Sequence, residues 1–190
     1  NFNGKGLKIT EIMVNGPLSN DKSKIKAGTI IEKVDGTEVN NNEMQYEAFN
    51  LKAGKNTLLS LFNPVTGERW DEVVKPISMG EENGLKYKRW VENCRKIVDS
   101  LSGGKVGYVH VAGMNDPSYR VVYEEALGRN YSKKALIVDT RFNGGGWLHD
   151  DLATFLSGKK YMTLLPRGQK LGEEPQFKWT KASAVVMNEG

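Results

Sequence analysis

Three consecutive glycines at positions 144–146 follow a short run of apolar, β-type residues at 135–138 and precede a helix-like pattern. A buried strand that turns through glycines into a helix points backbone N–H groups into the space above the sheet edge. Such groups bind anions, so the pattern is typical of a phosphate-binding turn or of one half of an oxyanion hole. A turn that serves only close helix–strand packing is the third interpretation.

The pattern around these glycines indicates the fold class. Strand-like runs at 106–111, 135–138 and 184–187 alternate with helix-like runs at 119–127 and 148–156, which is typical of an α/β unit with a largely parallel sheet. Earlier in the chain, strand-like runs at 7–14, 29–34 and 57–62 are separated by turns and one helix near 42–51. These predict a small α+β unit resembling a β-barrel, and a helix over 86–101 links the two units.

Charge and hydropathy exclude two classes of partner. The net charge is +4 and the pI about 9.0, but basic and acidic residues are interleaved along the sequence. No stripe of basic and stacking aromatic residues is present, so we expect no nucleic-acid partner. No window approaches the ~18 apolar residues that a membrane span requires, so we expect no span in this segment.

Cofactor and metal signatures are equally absent from the sequence. Neither Gly-x-Gly-x-x-Gly nor Gly-Lys-Ser/Thr occurs, which weakens the nucleotide interpretation of the glycine run. Cys94 is the only cysteine, so an intrachain disulfide and a cysteine-ligated zinc are excluded. The acidic pairs at 150–151 and 173–174 favour solvated surfaces over a metal site, because neighbouring helical residues point in different directions. We predict no cofactor and no metal.

The first unit resembles bacterial PDZ domains. The resemblance lies in residues 25–39, a Lys-x-Gly-x-Ile-Ile-x-x-Val-Asp-Gly run in which Thr29 replaces the usual aspartate. It implies that an extended peptide adds a strand to the sheet edge, while backbone amides of a loop hold its terminal carboxylate. The implied loop residues are Gly4, Lys5, Gly6 and Leu7. The implied apolar pocket consists of Leu7, Ile9, Met44 and Ala48, although packing of the small core explains Ile9 and Ala48 equally well.

The second unit resembles C-terminal processing and tricorn-like serine peptidases. Residues 139–146 are similar to their Asp-x-Arg-x-Asn-x-Gly-Gly motif, and the segments at 90–98, 102–111 and 184–190 agree. The resemblance implies that the N–H of Gly146, with that of Gly145 next, donates to the oxyanion. It also implies that Asp139 and Asn143 brace the loop and that Arg141 pairs with a nearby carboxylate.

The catalytic serine and its base are not recognisable among residues 1–190. The two histidines are His110, for which a core role is favoured, and His149. Ser118, Ser157 and Ser183 lack the Gly-x-Ser-x-Gly signature of a strand-to-helix elbow. The resemblance implies that the base precedes this segment and that the serine follows it.

Together these observations predict a PDZ-like peptide-binding domain at 1–79, a linker helix at 80–103 and an incomplete α/β catalytic core at 104–190. The predicted function is that of a serine peptidase in the full-length protein, with this segment inactive alone. A non-catalytic peptide-binding scaffold is the alternative. The expected partner is a peptide or protein substrate, homo-oligomer formation is compatible with the sequence, and a periplasmic or other extracytoplasmic location is favoured over a cytoplasmic one.

Overall fold

A computed structural model describes residues 5–40 and 44–189, with the side chains of residues 44 and 45 left aside. The chain divides into two compact units, Asn1–Trp90 and Val91–Gly190. This division falls within one long helix, whereas the sequence predicts boundaries at its two ends.

The first unit is built on an antiparallel sheet. Its elements are β1 (Leu7–Lys8), β2 (Ile30–Val34), β3 (Thr37–Glu38), α1 (Met44–Phe49), β4 (Thr57–Phe62), β5 (Arg69–Val74) and the first part of α2 (Met79–Leu101). The strand order is β1-β2-β4-β5, with β3 also paired to β2. Side chains from β1, β2 and β4 form the buried core of this unit together with Ile9, Ile25 and Val39.

The turn between β2 and β3 follows directly from its sequence. Asp35 and Gly36 have φ angles of 48° and 82°. Positive φ at both central residues is the condition for a tight two-residue hairpin turn whose twist matches that of the strands. Asp35 and Gly36 therefore form the two-residue turn of a β-hairpin between β2 and β3.

Two expectations about this unit need correction. The sheet is open, because no pairing among the described residues joins β1 to β5, so the predicted barrel is not closed. The predicted strand over 7–14 stops early. Ile9 still exchanges backbone hydrogen bonds with Thr29 and Gly28, but Thr29 donates back to Lys26, so the chain ahead of β2 turns away. No strand among residues 5–40 and 44–189 therefore pairs with residues 10–14.

The second unit is an α/β structure, as predicted. It contains the end of α2, β6 (Val106–His110), α3 (Asp116–Leu127), β7 (Ala135–Asp139), α4 (His149–Ser157), β8 (Met162–Leu164), β9 (Gly172–Glu174) and β10 (Ala182–Val186). Strands β10, β7 and β6 form one sheet in that order, and both pairings are parallel. The β8–β9 hairpin was not expected from the sequence.

The parallel sheet has two different faces. On one face, alternate side chains of β6 and β7 pack with α3 and α4 in a core that includes Val109, Leu136, Val138 and Phe155. On the other face lie Tyr108, His110 and Asp139, because successive strand residues point to opposite sides. One face of the sheet is therefore buried in the apolar core, and the other face carries polar side chains.

Helix α2 differs from its prediction in two respects. It begins at Met79, close to the predicted linker bound at 80 but about two turns before the start of the apolar helical pattern at 86, and it buries none of its residues fully. Ile97 and Leu101, two apolar residues of this helix, are 55% and 84% exposed. Within the part of the chain that the structure describes, no helix is both long and apolar enough to cross a bilayer.

Candidate active site

The glycine run lies at the carboxyl edge of the parallel sheet. Strand β7 ends at Asp139, and the N–H of Thr140 donates to the carbonyl of Val186 at the end of β10 (2.8 Å). The N–H of Phe142 donates to Oδ1 of Asn188 (3.1 Å). The residues that follow β7 and those that follow β10 therefore meet at the same edge, which is where parallel α/β sheets place their sites.

Asn143 ties the loop to the sheet. Its Nδ2 donates to the carbonyl of Val111 just beyond β6 (3.0 Å), and its Oδ1 accepts the N–H of Gly145 (2.8 Å). One side chain thus fixes the loop against the next strand and also occupies the donor of Gly145. That occupation weakens Gly145 as an oxyanion donor in this conformation.

Gly146 is held in place while its backbone stays accessible. Its φ is 147°, and a Cβ at this position would lie 2.7 Å from Cβ and 2.9 Å from the carbonyl oxygen of Met114. A side chain therefore cannot be added without moving the loop. Among the described residues, none accepts the N–H of Gly144 or Gly146, and both glycines are exposed. These two amides are the available donors.

Arg141 pairs with a carboxylate within its own motif. Its Nε lies 2.9 Å from Oδ1 of Asp139, its Nη2 lies 2.5 Å from Oδ2, and its backbone N–H donates to Oδ1 (3.0 Å). The hydroxyl of Tyr108 donates to Oδ2 of the same carboxylate (2.7 Å). Asp139 is fully buried. The start of the loop is therefore anchored by a buried, hydrogen-bonded ion pair.

These contacts set the protonation of the group. Burial raises the pKa of Asp139, but the hydrogen bonds from Arg141 and Tyr108 outweigh it and lower the pKa to about 2. Burial, with the hydrogen bond to Asp139, raises the pKa of Tyr108 far above its ordinary value. The hydrogen bond to Asp139 also raises the pKa of Arg141. At neutral pH the three groups are a carboxylate, a phenol and a guanidinium.

Two neighbours of the 139–146 motif, Tyr108 and Cys94, were not predicted from the sequence. Tyr108 reaches Asp139 from the adjacent strand, and Sγ of Cys94 lies 3.7 Å from Nη2 of Arg141. The alternation of residues along 106–111 could have placed Tyr108 on the same face as Asp139, but only the strand register makes them neighbours.

The histidines occupy different environments. His110 is buried on β6 directly opposite Asp139, and burial lowers its pKa. His149 is exposed in the first turn of α4, with Nε2 3.5 Å from Oδ1 of Asp150. The hydroxyl of Ser157 donates to the carbonyl of Thr154 at the end of the same helix. The side chains of His149 and Ser157 therefore contact other groups and do not form a catalytic Ser–His pair.

The first unit contains a groove with a volume of about 660 Å³. Its walls are the segment from β1 to Met13, helix α1 and the first turns of α2. Leu7 and Ile9, two of the residues predicted to form a peptide pocket, line this groove. Ala48 instead packs on the core of the unit, and Lys5 is exposed. Gly4 and the side chain of Met44 lie outside the described residues.

Several groove residues were not foreseen. Tyr46 and Phe49 contribute from α1, and Met79 and Leu85 contribute from α2. A signal for the α2 residues was present in the sequence. Ser78 and Glu81 form a reciprocal capping box, in which the N–H of Ser78 donates to Oε2 of Glu81 (2.8 Å) and the N–H of Glu81 donates to Oγ of Ser78 (3.3 Å). This Ser-x-x-Glu pattern marks the true start of the helix.

Comparison with known proteins finds a family match within the second unit. Residues 105–190 match Peptidase family S41. A tricorn protease homolog of Saccharolobus solfataricus is 26% identical over 97% of this chain and 17% of its own length. Tricorn protease homolog 1 of Streptomyces coelicolor is 30% identical over 91% of this chain and 16% of its own length. The crystal structure of the tricorn protease superimposes with a TM-score of 0.72 and 26% identity, over 99% of this chain and 19% of that one.

Residues 105–190, which match peptidase family S41, thus contain a donor-bearing glycine loop at the edge of a parallel sheet. More narrowly, the chain is similar to tricorn proteases over most of its length, so the resemblance to tricorn-like peptidases drawn from the sequence is confirmed. The chain spans less than a fifth of the length of these relatives. Homo-oligomer formation and an extracytoplasmic location stay predictions.

Proposed function

We propose that the intact protein is a serine peptidase that hydrolyses peptide bonds, and that this segment supplies one donor of its oxyanion hole. The observation that carries the proposal is the exposed N–H of Gly146, which no described residue accepts, on a loop fixed by Asn143. The family match over residues 105–190 supports the same reaction class.

The geometry suits stabilisation of a developing charge. When a nucleophile attacks a peptide carbonyl, its oxygen becomes negative, and a fixed N–H donor stabilises that oxygen more than the neutral substrate. Asn143 and the ion pair of Asp139 with Arg141 hold the loop before substrate arrives, so little reorganisation is needed during the reaction. The nucleophile, the base and the second donor are proposed to come from outside residues 1–190.

A reactive serine can be tested directly. The intact protein is incubated with a fluorophosphonate probe, which labels activated serine nucleophiles, and separately with a mixture of unstructured peptides analysed by mass spectrometry. We expect stoichiometric labelling of one serine and cleavage of internal or C-terminal peptide bonds. Absence of both labelling and cleavage would contradict the proposal and leave the peptide-binding scaffold as the better interpretation.

We propose further that the groove of the first unit grips an extended peptide in the manner of a PDZ domain. Strand β1 pairs with β2 on one side only, and its other edge has no partner strand among the described residues. Because the backbone groups of Ile9 bond towards Thr29, those of Lys8 point to the free edge, as alternation in an antiparallel pair requires. A peptide strand could bond there while its side chains enter the apolar groove.

Peptide gripping has its own test. Binding of a fluorescent peptide with a free C-terminus is compared with that of its C-terminally amidated form by fluorescence anisotropy. We expect the amidated peptide to bind at least ~10-fold more weakly, and Phe49→Ala to weaken the free-acid peptide similarly. Val65→Ala, at a side chain that is 91% exposed in the β4–β5 turn, is the control. Equal affinity for both peptides would remove the carboxylate-binding part of the proposal.

A further inference from the structure

The side chain that directly follows the glycine run is unusually exposed for its type. Trp147 is 92% exposed, whereas Trp179 of the same unit is 2% exposed. Tryptophan is among the most buried residues on average, since its large ring gains most from leaving water. Among the residues that the structure describes, the ring of His149 lies 6.1 Å away at 47°, and it leaves the indole exposed.

The neighbouring residues explain why Trp147 cannot turn inward. Leu148 is buried in the core of the second unit, at the start of α4. On the other side, Gly146 packs against Met114 so closely that a Cβ would clash. The backbone is thus fixed on both sides of Trp147, and the core is already occupied by its neighbour.

The space in front of the loop is open. A Cβ built on Gly144 or Gly145 would meet nothing within 4 Å. A peptide whose carbonyl oxygen accepts the N–H of Gly146 would bind at the residue directly before Trp147. Consecutive Cα atoms are 3.8 Å apart, so the residues flanking that carbonyl come within reach of the Trp147 ring.

We infer that Trp147 is a specificity-determining residue, which forms an apolar wall for a large apolar side chain directly beside the scissile bond. This inference rests on the proposed peptidase function and adds the substrate class to it. Burial of the indole against an aliphatic or aromatic side chain favours such substrates over alanine or charged residues, because hydrophobic contact discriminates by about 10- to 200-fold.

Kinetics on the intact protein test the inference. A peptide library varies the two residues that flank the cleaved bond, and kcat/KM is measured for wild type, Trp147→Ala and Tyr131→Ala. Tyr131 is a matched exposed aromatic, at 66% exposure, outside the site. We expect Trp147→Ala to reduce kcat/KM at least ~10-fold for leucine or phenylalanine at one flanking position and about twofold or less for alanine there. Tyr131→Ala should keep the wild-type preference. An unchanged preference in Trp147→Ala would overturn the inference while leaving the peptidase proposal intact.

Fluorescence quenching provides a readout that does not need turnover. Acrylamide quenches the fluorescence of exposed tryptophans, and the quenchable fraction that is lost in Trp147→Phe belongs to this indole. We expect a product peptide that ends in leucine to reduce the quenching of Trp147. If the intact protein cleaves no peptide, the peptidase proposal fails. The quenching of Trp147 with and without the peptide then decides whether Trp147 contacts a bound peptide. Lack of protection, or an indole already shielded without peptide, would overturn the inference.

Discussion

Two glycine-containing loops of this protein were expected to present backbone N–H groups to an anion, and they differ in what the glycine is for. At Gly6, ahead of β1, the residue is buried and an added Cβ would lie 2.6 Å from the carbonyl oxygen of Ile31. At Gly144 and Gly145, after β7, the same addition would meet open space. Gly6 is required by packing, whereas the second loop keeps its backbone open to solvent.

Gly146 combines both properties. Its Cα side is closed by Met114, while its N–H has no acceptor among the residues described. A glycine can therefore be fixed by packing on one side and accessible on the other. This combination, more than glycine content, distinguishes a donor loop from an ordinary turn.

The largest effect is expected at Gly146 in the intact protein. Gly146→Ala forces the loop away from Met114 and displaces the N–H, so kcat should fall by about 10²–10³, the usual loss for one oxyanion donor. KM should change little, because the donor acts mainly on the transition state. Steady-state kinetics measure the effect, and thermal unfolding checks that the fold is kept. Retention of more than a tenth of kcat would argue against Gly146 as a donor.

A smaller effect, on stability alone, is expected at Gly6. Gly6→Ala places a Cβ against a backbone carbonyl at a φ of 105°, where side chains are strained, and should lower the free energy of unfolding by about 2–3 kcal/mol. Urea unfolding followed by circular dichroism measures the loss. A loss below about 0.5 kcal/mol would show that β1 can move away from β2 at little cost.

Next in size is the pH dependence that arises from Asp139. Its pKa is about 2 in the folded chain and 3.8 ordinarily, so its contribution to stability is complete above pH 4 and is lost as pH falls towards 2. The change is about 2 kcal/mol. The stability difference between wild type and Asp139→Asn should therefore shrink over this range in acid unfolding experiments. If the stability difference between wild type and Asp139→Asn does not change with pH, the ion pair does not lower the pKa of Asp139.

The smallest effect is expected at Gly144, the counterpart of Gly6. Gly144→Ala adds a methyl group into open space at an ordinary φ, so the free energy of unfolding should change by less than about 0.5 kcal/mol. The same urea titration applies. A large loss would show that the loop is packed against something and would remove the contrast with Gly6.

Local sequence signals predicted the elements that carry strong patterns. The strand at 57–62 was placed with its observed bounds, and the strand–glycine–helix order around 135–156 was correct. Each of these has both an apolar run and clear turn residues at its ends. The fold class of the second unit followed from them, since alternating strands and helices have few ways to pack.

Long-range pairing explains what was missed. The β8–β9 hairpin contains Glu173 and Glu174, which are poor strand residues, and it is stabilised by contacts of Glu173 with Lys160 and Lys170. The local pattern of residues does not show that Lys160 and Lys170 contact Glu173. In the candidate site, the motif itself was visible, but the capture of the Gly145 N–H by Asn143 and the bond from Tyr108 to Asp139 depend on loop conformation and strand register.

The exposure of strand β10 affects how this chain behaves in solution. All five of its residues are exposed, and Val185, at 52% exposure, is followed by Val186 and Met187 on a sheet edge that β7 covers from one side only. An exposed apolar edge strand with no partner on its outer side among the described residues is a template for a second chain. A preparation of this 190-residue chain by itself would thus tend to associate edge to edge and precipitate, and a lysine in place of Val185 would be the simplest way to keep it dispersed.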